Sequence, residues 1–580
     1  MIVGIDLGTT NSLIAYYSED GAKIIPNRLG KNYTPSVVSM DEEGQVYVGE
    51  TARERLALYP ETSAQVFKRD MGSERKFSLG KTHEFKDGDE FEKEHEYSAM
   101  ELSALVLRSL KEDAKAYLGE EVTKAIISVP AYFNEARRKA TKMAGEMAGF
   151  EVERIISEPT AAAVAYGLYQ QEKKDAKFLV FDLGGGTFDV SIIEMFGDVL
   201  EVHAVAGDNF LGGEDFTEVI INMFFEEHTE LIRDEMDDKT LKHIYNQAEK
   251  CKIALGMEPY SIMKCKLNDE IYEFKLDARK YETMCAELFD RIREPVKRSL
   301  NDSGIKVSDI DKVVLVGGAT KLAMIRRFVS RLFRKMPDTS INPDETVALG
   351  AAIQGAMKER NEGVKELILT DVCPFTLGTE VVVDREDGSK EGGHFCPIIE
   401  RNTIIPASHT QRLYTVRDNQ TRVSVNVLQG ESRFAANNLE IGELEITVPA
   451  NKAGEESIDV TYTYDINSLL EVQVRVISTG QITKKVFVNQ KVDMSEEEIQ
   501  KRFEEIAFLK IHPRDQEENR LLLLKGARLY EESLGNDRVI IDMRMREFEV
   551  ALDGNDKLRM ESARREFARF LENFENRGLE

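Results

Sequence analysis

The chain has 580 residues, a length that predicts about three or four domains, each able to bury a core. Its formal charge of −27, from 77 basic and 104 acidic residues, argues against nucleic acid or an anionic membrane as the main partner. No apolar run approaches the roughly 18 residues needed to cross a bilayer, and Asp6 interrupts the N-terminal apolar stretch. We therefore expect a cytoplasmic protein, and five scattered cysteines without a Cys-x-x-Cys pair fit a reducing compartment.

A strand that runs into a turn of small and hydroxyl residues occurs near the N-terminus. Residues 2–5 are mostly apolar, and residues 6–12 read Asp-Leu-Gly-Thr-Thr-Asn-Ser. The pattern returns at 178–189, where an apolar run is followed by Asp-Leu-Gly-Gly-Gly-Thr-Phe-Asp. Backbone N–H groups at such turns can bind an anion, whereas the acid beside them needs a divalent cation between itself and a phosphate. One such turn alone is more often an ordinary turn, but two predict a metal-bound polyphosphate as the ligand.

Each of these turns is accompanied by a second apolar strand that ends in a turn. The first of these strands lies at 125–130 and the second at 313–320. Two matched pairs are difficult to obtain by chance, and they predict a duplicated domain with the nucleotide in a cleft between two lobes. Strands alternate with helices from residue 1 to about 363, which indicates an α/β domain with largely internal sheets.

The pattern of apolar and polar residues changes twice in the remainder of the chain. A run of three apolar residues, Leu367 to Leu369, lies in a charged segment and is too apolar for a plain flexible linker, so we expect it to dock. Up to about residue 490 the sequence alternates with period 2, which predicts an antiparallel β-sandwich. The last part is predicted to be amphipathic helices that begin at a capping-box signature, Ser495 and Glu498.

Segments 5–12, 181–189 and 316–320, in this order, resemble the three signature segments of the seventy-kilodalton heat-shock chaperone family of the DnaK type. The resemblance covers nearly the whole chain. It implies an actin-like α/β ATPase domain at 1–363, an interdomain linker at 364–372, a substrate-binding β-sandwich at 373–490 and a helical lid at 491–580. The shortened segment 72–96, the run Lys-Ile-His-Pro-Arg-Asp at 510–515 and the truncated tail look most similar to the HscC-like branch.

The resemblance implies an ATPase site that binds ATP or ADP with Mg²⁺, and K⁺ as a further candidate ion. Hydrated magnesium would lie among Asp6, Glu158 and Asp182, and Lys68 would position the attacking water. Thr187 would contact the γ-phosphate, with Asp189 nearby. The residues matched to nucleotide contacts are Gly8, Thr9, Thr10, Asn11, Gly184, Gly185, Gly186, Thr187, Glu249, Lys252, Gly317, Gly318, Lys321 and Asp344. Phosphoryl transfer depends more on positioning and charge neutralisation than on a strong base, which agrees with this set.

The resemblance also implies that the β domain binds extended apolar segments of unfolded polypeptides and that ATP controls their release through the linker. The residues matched to peptide contacts are Val382, Leu413, Val416, Val423 and Val425. The residues matched to interdomain coupling are Pro130, Arg138, Arg154, Leu367, Ile368, Leu369 and Asp371. A J-domain co-chaperone is the implied partner. The sequence does not say whether an exchange factor is required.

Several of these residues have simpler interpretations from the sequence alone. Lys68 would be a solvated surface lysine, Glu158 an acid at the start of a helix, and the valines of the β domain ordinary core. A sugar-kinase-like enzyme or an actin-like filament protein could also use a duplicated α/β domain. Neither has an evident use for a β-sandwich followed by helices, and this favours the chaperone.

Overall fold

A computed structural model describes residues 1–86, 89–169, 175–197, 199–267, 270–361, 364, 367–384, 390–465, 470–487, 514–552 and 557–577. Within these ranges, none of the helices combines the length and the apolar character that a bilayer crossing requires. The capping-box signature at Ser495 and Glu498 lies outside the described residues, as does most of the run at 510–515.

The first lobe is built on a mixed sheet with the strand order β11-β10-β1-β2-β3, and β4 pairs with β2. Its elements are β1 Ile2–Asp6, β2 Asn11–Ser18, β3 Gly21–Ile25, β4 Thr34–Pro35, β5 Val37–Met40, β6 Val46–Val48, α1 Glu50–Leu58, β7 Ser63–Gln65, β8 Lys76–Lys86, β9 Asp89–Ser98, α2 Ala99–Leu118, β10 Lys124–Val129, α3 Glu135–Met147, β11 Glu151–Ser157 and α4 Glu158–Tyr169. Helix α2 has a capping box in which the Ser98 side chain accepts from the Glu101 N–H and the Glu101 carboxylate accepts from the Ser98 N–H.

The second lobe has a sheet with the order β17-β12-β13-β14, which β18 (Ile368–Val372) and β21 (Ile404–Ile405) extend. Its elements are β12 Asp175–Leu183, β13 Phe188–Phe196, β14 Val199–Asp208, α5 Gly213–Glu227, α6 Asp238–Leu255, β15 Tyr260–Leu267, β16 Glu270–Asp277, α7 Ala278–Met284, α8 Ala286–Ser303, β17 Lys312–Val316, α9 Ala323–Phe333 and α10 Thr346–Lys358. Helix α6 and the hairpin β15–β16 share one hydrophobic core with β12 and β13.

The two lobes repeat one pattern of strand pairing, as the duplicated sequence motif predicts. In the first lobe β1 pairs antiparallel with β2 and parallel with β10, so Asp6 lies beside Ser128. In the second lobe β12 pairs antiparallel with β13 and parallel with β17, so Asp182 lies beside Val316. The two acids therefore occupy equivalent positions at the carboxyl ends of two central strands, where α/β sheets bind ligands.

Small residues bring α10 back onto the first lobe. A Cβ on Gly350 would lie 1.8 Å from the Ala161 carbonyl oxygen of α4, and one on Gly4 would lie 2.0 Å from the Ala352 nitrogen. Only glycine tolerates backbone approaches this close. The helix that ends the α/β region is consequently packed against β1 and α4.

The remainder of the chain contains two further structural units, a pair of β-sheets and a group of three helices. Its elements are β18 Ile368–Val372, β19 Leu377–Asp384, β20 Lys390–Ile399, β21 Ile404–Ile405, β22 Ala407–Tyr414, β23 Arg422–Gln429, β24 Leu439–Thr447, β25 Ser457–Tyr464, β26 Leu470–Val476, β27 Ile482–Phe487, α11 Arg514–Glu532, α12 Gly535–Leu552 and α13 Lys557–Arg577. Sheets β20-β19-β23-β24 and β22-β25-β26-β27 enclose one apolar core, which makes them a sandwich. The three helices share a separate core around Phe548 and Phe567.

Strand β18 connects the α/β region to the sandwich. Its first half pairs in parallel with β14, with Leu369 beside Leu200 and Thr370 beside Glu201. Its second half pairs antiparallel with β21, with Asp371 beside Ile405. The apolar run of the linker segment is therefore docked as a strand on the sheet of the second lobe.

Candidate functional site

The two glycine turns face each other across the cleft between the lobes. A Cβ on Gly185 would lie 1.8 Å from Thr10 Oγ1, and one on Gly186 would lie 2.5 Å from Thr9 Cγ2. Any side chain at these two glycines would collide with the opposite loop. The structure thus brings together the predicted phosphate-binding residues Thr9, Thr10, Gly185 and Gly186, with backbone N–H groups and hydroxyls lining one narrow space.

The predicted magnesium acids cluster beside this space. Burial and the neighbouring charge of Glu158 raise the pKa of Asp6 to about 7. The same two causes, burial first, raise the pKa of Asp182 well above its usual range and that of Asp189 to about 8. Four carboxylates at the ends of three strands and at the start of one helix therefore repel one another, which favours a cation among them.

The geometry fits an ion held through water better than one held directly. In the parts of the chain that the structure describes, no three His, Cys, Asp or Glu side chains converge on one metal position. Asn11 Oδ1, at the start of β2, is a buried acceptor that lacks a hydrogen-bond partner among the described residues. Carboxylates and an amide oxygen around a gap are ligands that hydrated Mg²⁺ accepts.

Lys68 is buried, contrary to its interpretation as a surface lysine. It lies on the short 3₁₀ turn Phe67–Asp70 and is only 2% exposed. Its Nζ is 2.7 Å from Glu158 Oε1 and 5.7 Å from the centre of the Phe133 ring. A buried lysine held by one carboxylate and one ring has a fixed position beside the acid cluster.

Arg69, the next residue, is a contact that the sequence reasoning missed. Its Nη2 is 2.6 Å from Asp215 Oδ2, and its Nε donates to the Gly186 carbonyl oxygen at 2.9 Å. Arg69 therefore joins the first lobe to the glycine turn of the second. Its position directly after Lys68 was the one feature of the sequence that could have indicated a place near the site.

On the second lobe, the predicted ribose contacts Glu249 and Lys252 are on one face of α6. Their side chains pair at 2.5 Å, and Lys252 Nζ also donates to the Gly213 carbonyl oxygen at 2.9 Å. Glu249 Oε2 accepts from Thr217 Oγ1 at 2.5 Å. Helix α6 is thereby fastened to the start of α5, where the Gly213 N–H donates to the Gly184 carbonyl oxygen of the glycine turn at 2.9 Å.

The predicted adenosine contacts lie after β17. Gly317 has a φ of +84°, and a Cβ there would lie 2.4 Å from the Leu183 carbonyl oxygen. A Cβ on Gly318 would lie 3.1 Å from Asp344 Oδ1, and Asp344 forms an ion pair with Lys321. These residues come together on the second lobe, and Gly317 is required by both its conformation and its contact.

The predicted peptide contacts do not share one environment. Val382 is 39% exposed on β19, and Val416 is half-buried in the loop after β22. Leu413 and Val423 pack against the sandwich core, while Val425 is 2% exposed and lies inside it. Val425 is therefore a core residue in this conformation, and Val423, two positions earlier on β23, points to the same inner face.

The predicted coupling residues surround one turn and the linker strand. Arg138 donates from Nε to the Phe133 carbonyl oxygen and from Nη2 to that of Ala131, both at 3.1 Å. The Phe133 N–H donates to the Pro130 carbonyl oxygen, also at 3.1 Å. Arg138 and Pro130 thus hold the turn in a fixed shape.

Tyr132, inside that turn, was not predicted and connects the cleft with the sandwich. Its N–H donates to Asp189 Oδ1 at 3.1 Å, and its ring centre is 4.4 Å from that of Phe375. Phe375 belongs to the segment between β18 and β19. One residue consequently touches both the acid cluster and the start of the β domain.

The three linker leucine and isoleucine positions differ in exposure. Leu369 packs against the core under the sheet of the second lobe, whereas Ile368 is 62% exposed. Leu367, just before the strand, is half-buried. Burial lowers the pKa of Arg154, and the nearby charge of Asp371 opposes that shift, so these two coupling candidates are neighbours.

These features define a class of protein: a two-lobed nucleotide-binding unit whose sheet is extended by the strand that leads into a β-sandwich with helices. The model of the family described as Hsp70 protein matches residues 2–573. The chain is similar to the chaperone proteins DnaK of Thermotoga neapolitana and Thermotoga maritima, each 40% identical over 519 residues, 87% of this chain and 83% of theirs. The DnaK of Thermosipho africanus is also 40% identical, over 82% of its length.

The chain belongs to the Hsp70 family, and it is an ATP-dependent chaperone with ATPase activity. The α/β ATPase lobes, the β-sandwich and the C-terminal helices predicted from the sequence are confirmed as its architecture. The kinase and filament alternatives are excluded by this assignment.

Proposed function

We propose that residues 1–363 bind and hydrolyse ATP, that 373–490 hold an extended apolar peptide under a lid formed by 491–580, and that 364–372 couple the two. One observation carries this proposal: strand β18 pairs with β14 of the ATPase sheet and with β21 of the β domain. A strand that pairs with both domains can couple the nucleotide site to the peptide site only if bound nucleotide changes how firmly β18 is docked on β14.

The polyphosphate would lie between the Thr9–Thr10 loop and the Gly184–Gly186 turn. Asp6, Glu158 and Asp182 would hold Mg²⁺ through water, and the ion would supply neutralising charge to the phosphates. Lys68, fixed 2.7 Å from Glu158, would orient the water that attacks the γ-phosphorus while ADP leaves. Thr187 is buried at the end of the same turn, which suits a hydroxyl that distinguishes ATP from ADP.

The same proposal extends to the peptide face, the partner and the location. Val382 is the exposed peptide-contact candidate, and Leu413, Val416 and Val423 are half-buried. We propose an unfolded polypeptide as the ligand of this face and a J-domain protein as the partner at Arg154 and Asp371. Free cysteines support a reducing, cytoplasmic location, and the short segment at 72–96 supports the HscC-like branch.

The linker proposal is tested by replacing its inward-facing residues. In the double variant Leu367→Asp with Leu369→Asp, we expect near-normal affinity for ATP and for a model apolar peptide, but no acceleration of peptide release by ATP. The reason is that two charges would have to be buried against the second lobe for β18 to dock. Peptide dissociation is measured with and without ATP.

The exposed Ile368 provides a matched control on the same strand. Because its side chain faces solvent in the docked strand, Ile368→Asp should leave ATP-driven release within about twofold of the wild type, as surface substitutions usually do. Persistent acceleration by ATP in the double variant would refute coupling through β18.

A further inference from the structure

Helix α11 of the lid lies along the first lobe of the ATPase domain and is attached there by buried charges. Arg28 Nη1 is 3.1 Å from Glu517 Oε2, near the start of α11. Toward its end, Arg528 Nε is 2.6 Å from Glu54 Oε2 on α1. These two contacts place the helix axis along the outer surface of the first lobe.

The last turn of α11 reaches the second lobe as well. Lys239 Nζ is 2.6 Å from Glu531 Oε2, and His243 Nδ1 is 3.6 Å from Glu532 Oε1. Lys239 and His243 are both on α6 of the second lobe. Lys266 Nζ, on β15, donates to the Ser533 carbonyl oxygen at 3.0 Å. A cation placed at the carboxyl end of a helix is favourably placed in the field of the helix dipole.

One helix of the lid therefore contacts both lobes, and it does so where the lobes also touch each other. Lys242 Nζ, on α6, donates to Gln65 Oε1 of the first lobe at 2.8 Å. Helix α6 carries the lid contacts Lys239 and His243 near its start and the nucleotide candidates Glu249 and Lys252 near its end. An α-helix is rigid over this length, so fixing its start fixes its end.

We propose that α11 is a clamp across the two lobes: while the lid is docked it holds α6 against the nucleotide and slows nucleotide release. This inference rests on the proposed function in one respect, the placement of the nucleotide at Glu249 and Lys252. The lobes must separate for a nucleotide to leave a cleft between them, and the clamp opposes that separation directly. Peptide-linked movement of the lid would then set the lifetime of the bound nucleotide.

The chemistry of the contacts suits a clamp that opens. On the second lobe, Lys239 and Glu531 are both close to half exposed, and such pairs contribute little each. When the lid leaves, the charged side chains return to water and recover their hydration. The clamp is consequently strong only while the contacts on both lobes are made together.

The test uses the full-length chain and the release of a fluorescent, non-hydrolysable ATP analogue, followed by stopped flow after mixing with excess unlabelled ATP. The double variant Lys239→Ala with Lys266→Ala removes two contacts on the second lobe. We expect release to become at least about tenfold faster, the lower end of what one charged hydrogen bond and one exposed ion pair contribute together. Lys264→Ala, on the same hairpin but paired with Glu273 at 3.0 Å, is the control and should leave release unchanged.

A charge exchange shows whether the contact itself acts. Lys239→Glu should speed release, and adding Glu531→Lys on the lid should restore it. Combining Lys239→Ala and Lys266→Ala with Glu54→Gln should give no more than the larger separate effect, because a bridge fails when either end is broken. Additive effects, or no rescue by the exchange, would overturn the clamp.

A separate measurement distinguishes the clamp from the nucleotide site on which it rests. Lys252→Ala should weaken equilibrium binding of the ATP analogue if the nucleotide contacts α6. Unchanged affinity in that variant would refute the proposed nucleotide placement. Weakened affinity together with wild-type release rates in the lid-contact variants would refute the clamp alone.

Discussion

In the nucleotide cleft, Glu158 faces the carboxyls of Asp6, Asp182 and Asp189, and Lys68 is the cation paired with it. Negative charge exceeds positive charge there, and the raised pKa values of the aspartates are the physical consequence. The cleft has a charge imbalance that a bound cation relieves.

At the interface of the lid with the first lobe, charge is also buried, but each acid there has an arginine in direct contact, and each arginine contacts three acids. Arg28 meets Asp113 at 3.0 Å and Glu517 at 3.1 Å. Arg528 meets Glu54 on the ATPase domain and Glu532 on its own helix. No ligand is needed to complete these pairs, because the protein supplies both signs.

The cleft therefore needs a ligand to balance its charge, whereas the acids of the lid contact find their cations within the protein, which agrees with the proposed undocking of the lid. Buried, matched pairs offer little net stability compared with apolar packing, yet leaving one partner alone is unfavourable. A lid held by such pairs can therefore leave the first lobe at a small cost in free energy. The acid cluster remains short of positive charge whether the lid is docked or not.

Lys68→Ala should have the largest effect, because it removes the cation paired inside the cleft. We expect hydrolysis to fall about 10²- to 10³-fold, as for the loss of one preorganised electrostatic contact in other enzymes. Nucleotide affinity should change far less if Lys68 acts mainly in the transition state. Single-turnover hydrolysis measures the first quantity and equilibrium titration the second; a wild-type single-turnover rate would remove Lys68 from the catalytic set.

The unbalanced acids also predict a pH dependence for the nucleotide-free protein. An aspartate whose folded pKa is raised contributes stability below its unfolded pKa of about 4, and loses it as pH rises through the folded value. With folded pKa values of about 7 for Asp6 and about 8 for Asp189, stability should fall between pH 4 and 8. Urea midpoints at pH 6 and pH 8.5 measure the loss.

The control for this prediction removes the titrating groups. Asp6→Asn with Asp189→Asn should reduce the difference between the two pH values, and Mg²⁺ with ATP should reduce it in the wild type. An unchanged difference in the double variant would assign the pH dependence to the overall charge of −27 instead.

The sequence predicted the parts of the molecule that are encoded locally. The two Asp-Leu-Gly turns give the strands, the narrow loops and the positions of Asp6 and Asp182, because a strand that ends in glycine has few other interpretations. The burial of Lys68 could not be predicted from Phe67-Lys68-Arg69, since its partners Glu158 and Phe133 are distant in the chain.

The contacts between domains were the least predictable. Arg528 and Glu54 are 474 positions apart, and each by itself has the pattern of a solvated helix residue. Tyr132 gave no signal as a bridge because its two roles, an N–H to Asp189 and a ring on Phe375, depend on the packing of separate domains. For Val425, alternation alone favoured the core and only the resemblance implied a peptide contact; the structure places its side chain in the core of the sandwich.

At the contact between the lid and the first lobe, Glu54→Gln should weaken docking of the lid without affecting the acid cluster. The amide keeps the shape but removes the charge opposite Arg528, and a hydrogen bond to a charged group is worth about 1.5–3 kcal/mol. We expect a lower docked fraction, measured by the distance between fluorophores on α1 and α12, and a stronger response to salt. Glu61→Gln, the same change at an exposed position, should leave the distance unaltered.

The smallest expected effect concerns the linker, where Thr370 stands in the strand that joins the two regions. Thr370 Oγ1 is buried in the docked strand and has no hydrogen-bond partner among the described residues. A buried hydroxyl without a partner costs about 1–3 kcal/mol, and it regains water when β18 undocks. Thr370→Val keeps the shape and removes this penalty from the docked state alone.

If the penalty is about 1 kcal/mol, the lower end of that range, Thr370→Val should raise the ratio of docked to undocked linker several-fold. Peptide release at low ATP should then become faster. Ser191→Ala is the matched control, because Ser191 Oγ, on β13 of the same sheet, is also a buried hydroxyl without a hydrogen-bond partner in the described part of the chain. Ser191 is fully buried within the lobe and not on the linker, so its replacement should change the stability of the lobe and leave ATP-driven release as it is. If the two variants respond alike in peptide dissociation, or if Thr370→Val slows release, the hydroxyl does not limit docking and the balance between the two regions is set elsewhere in β18.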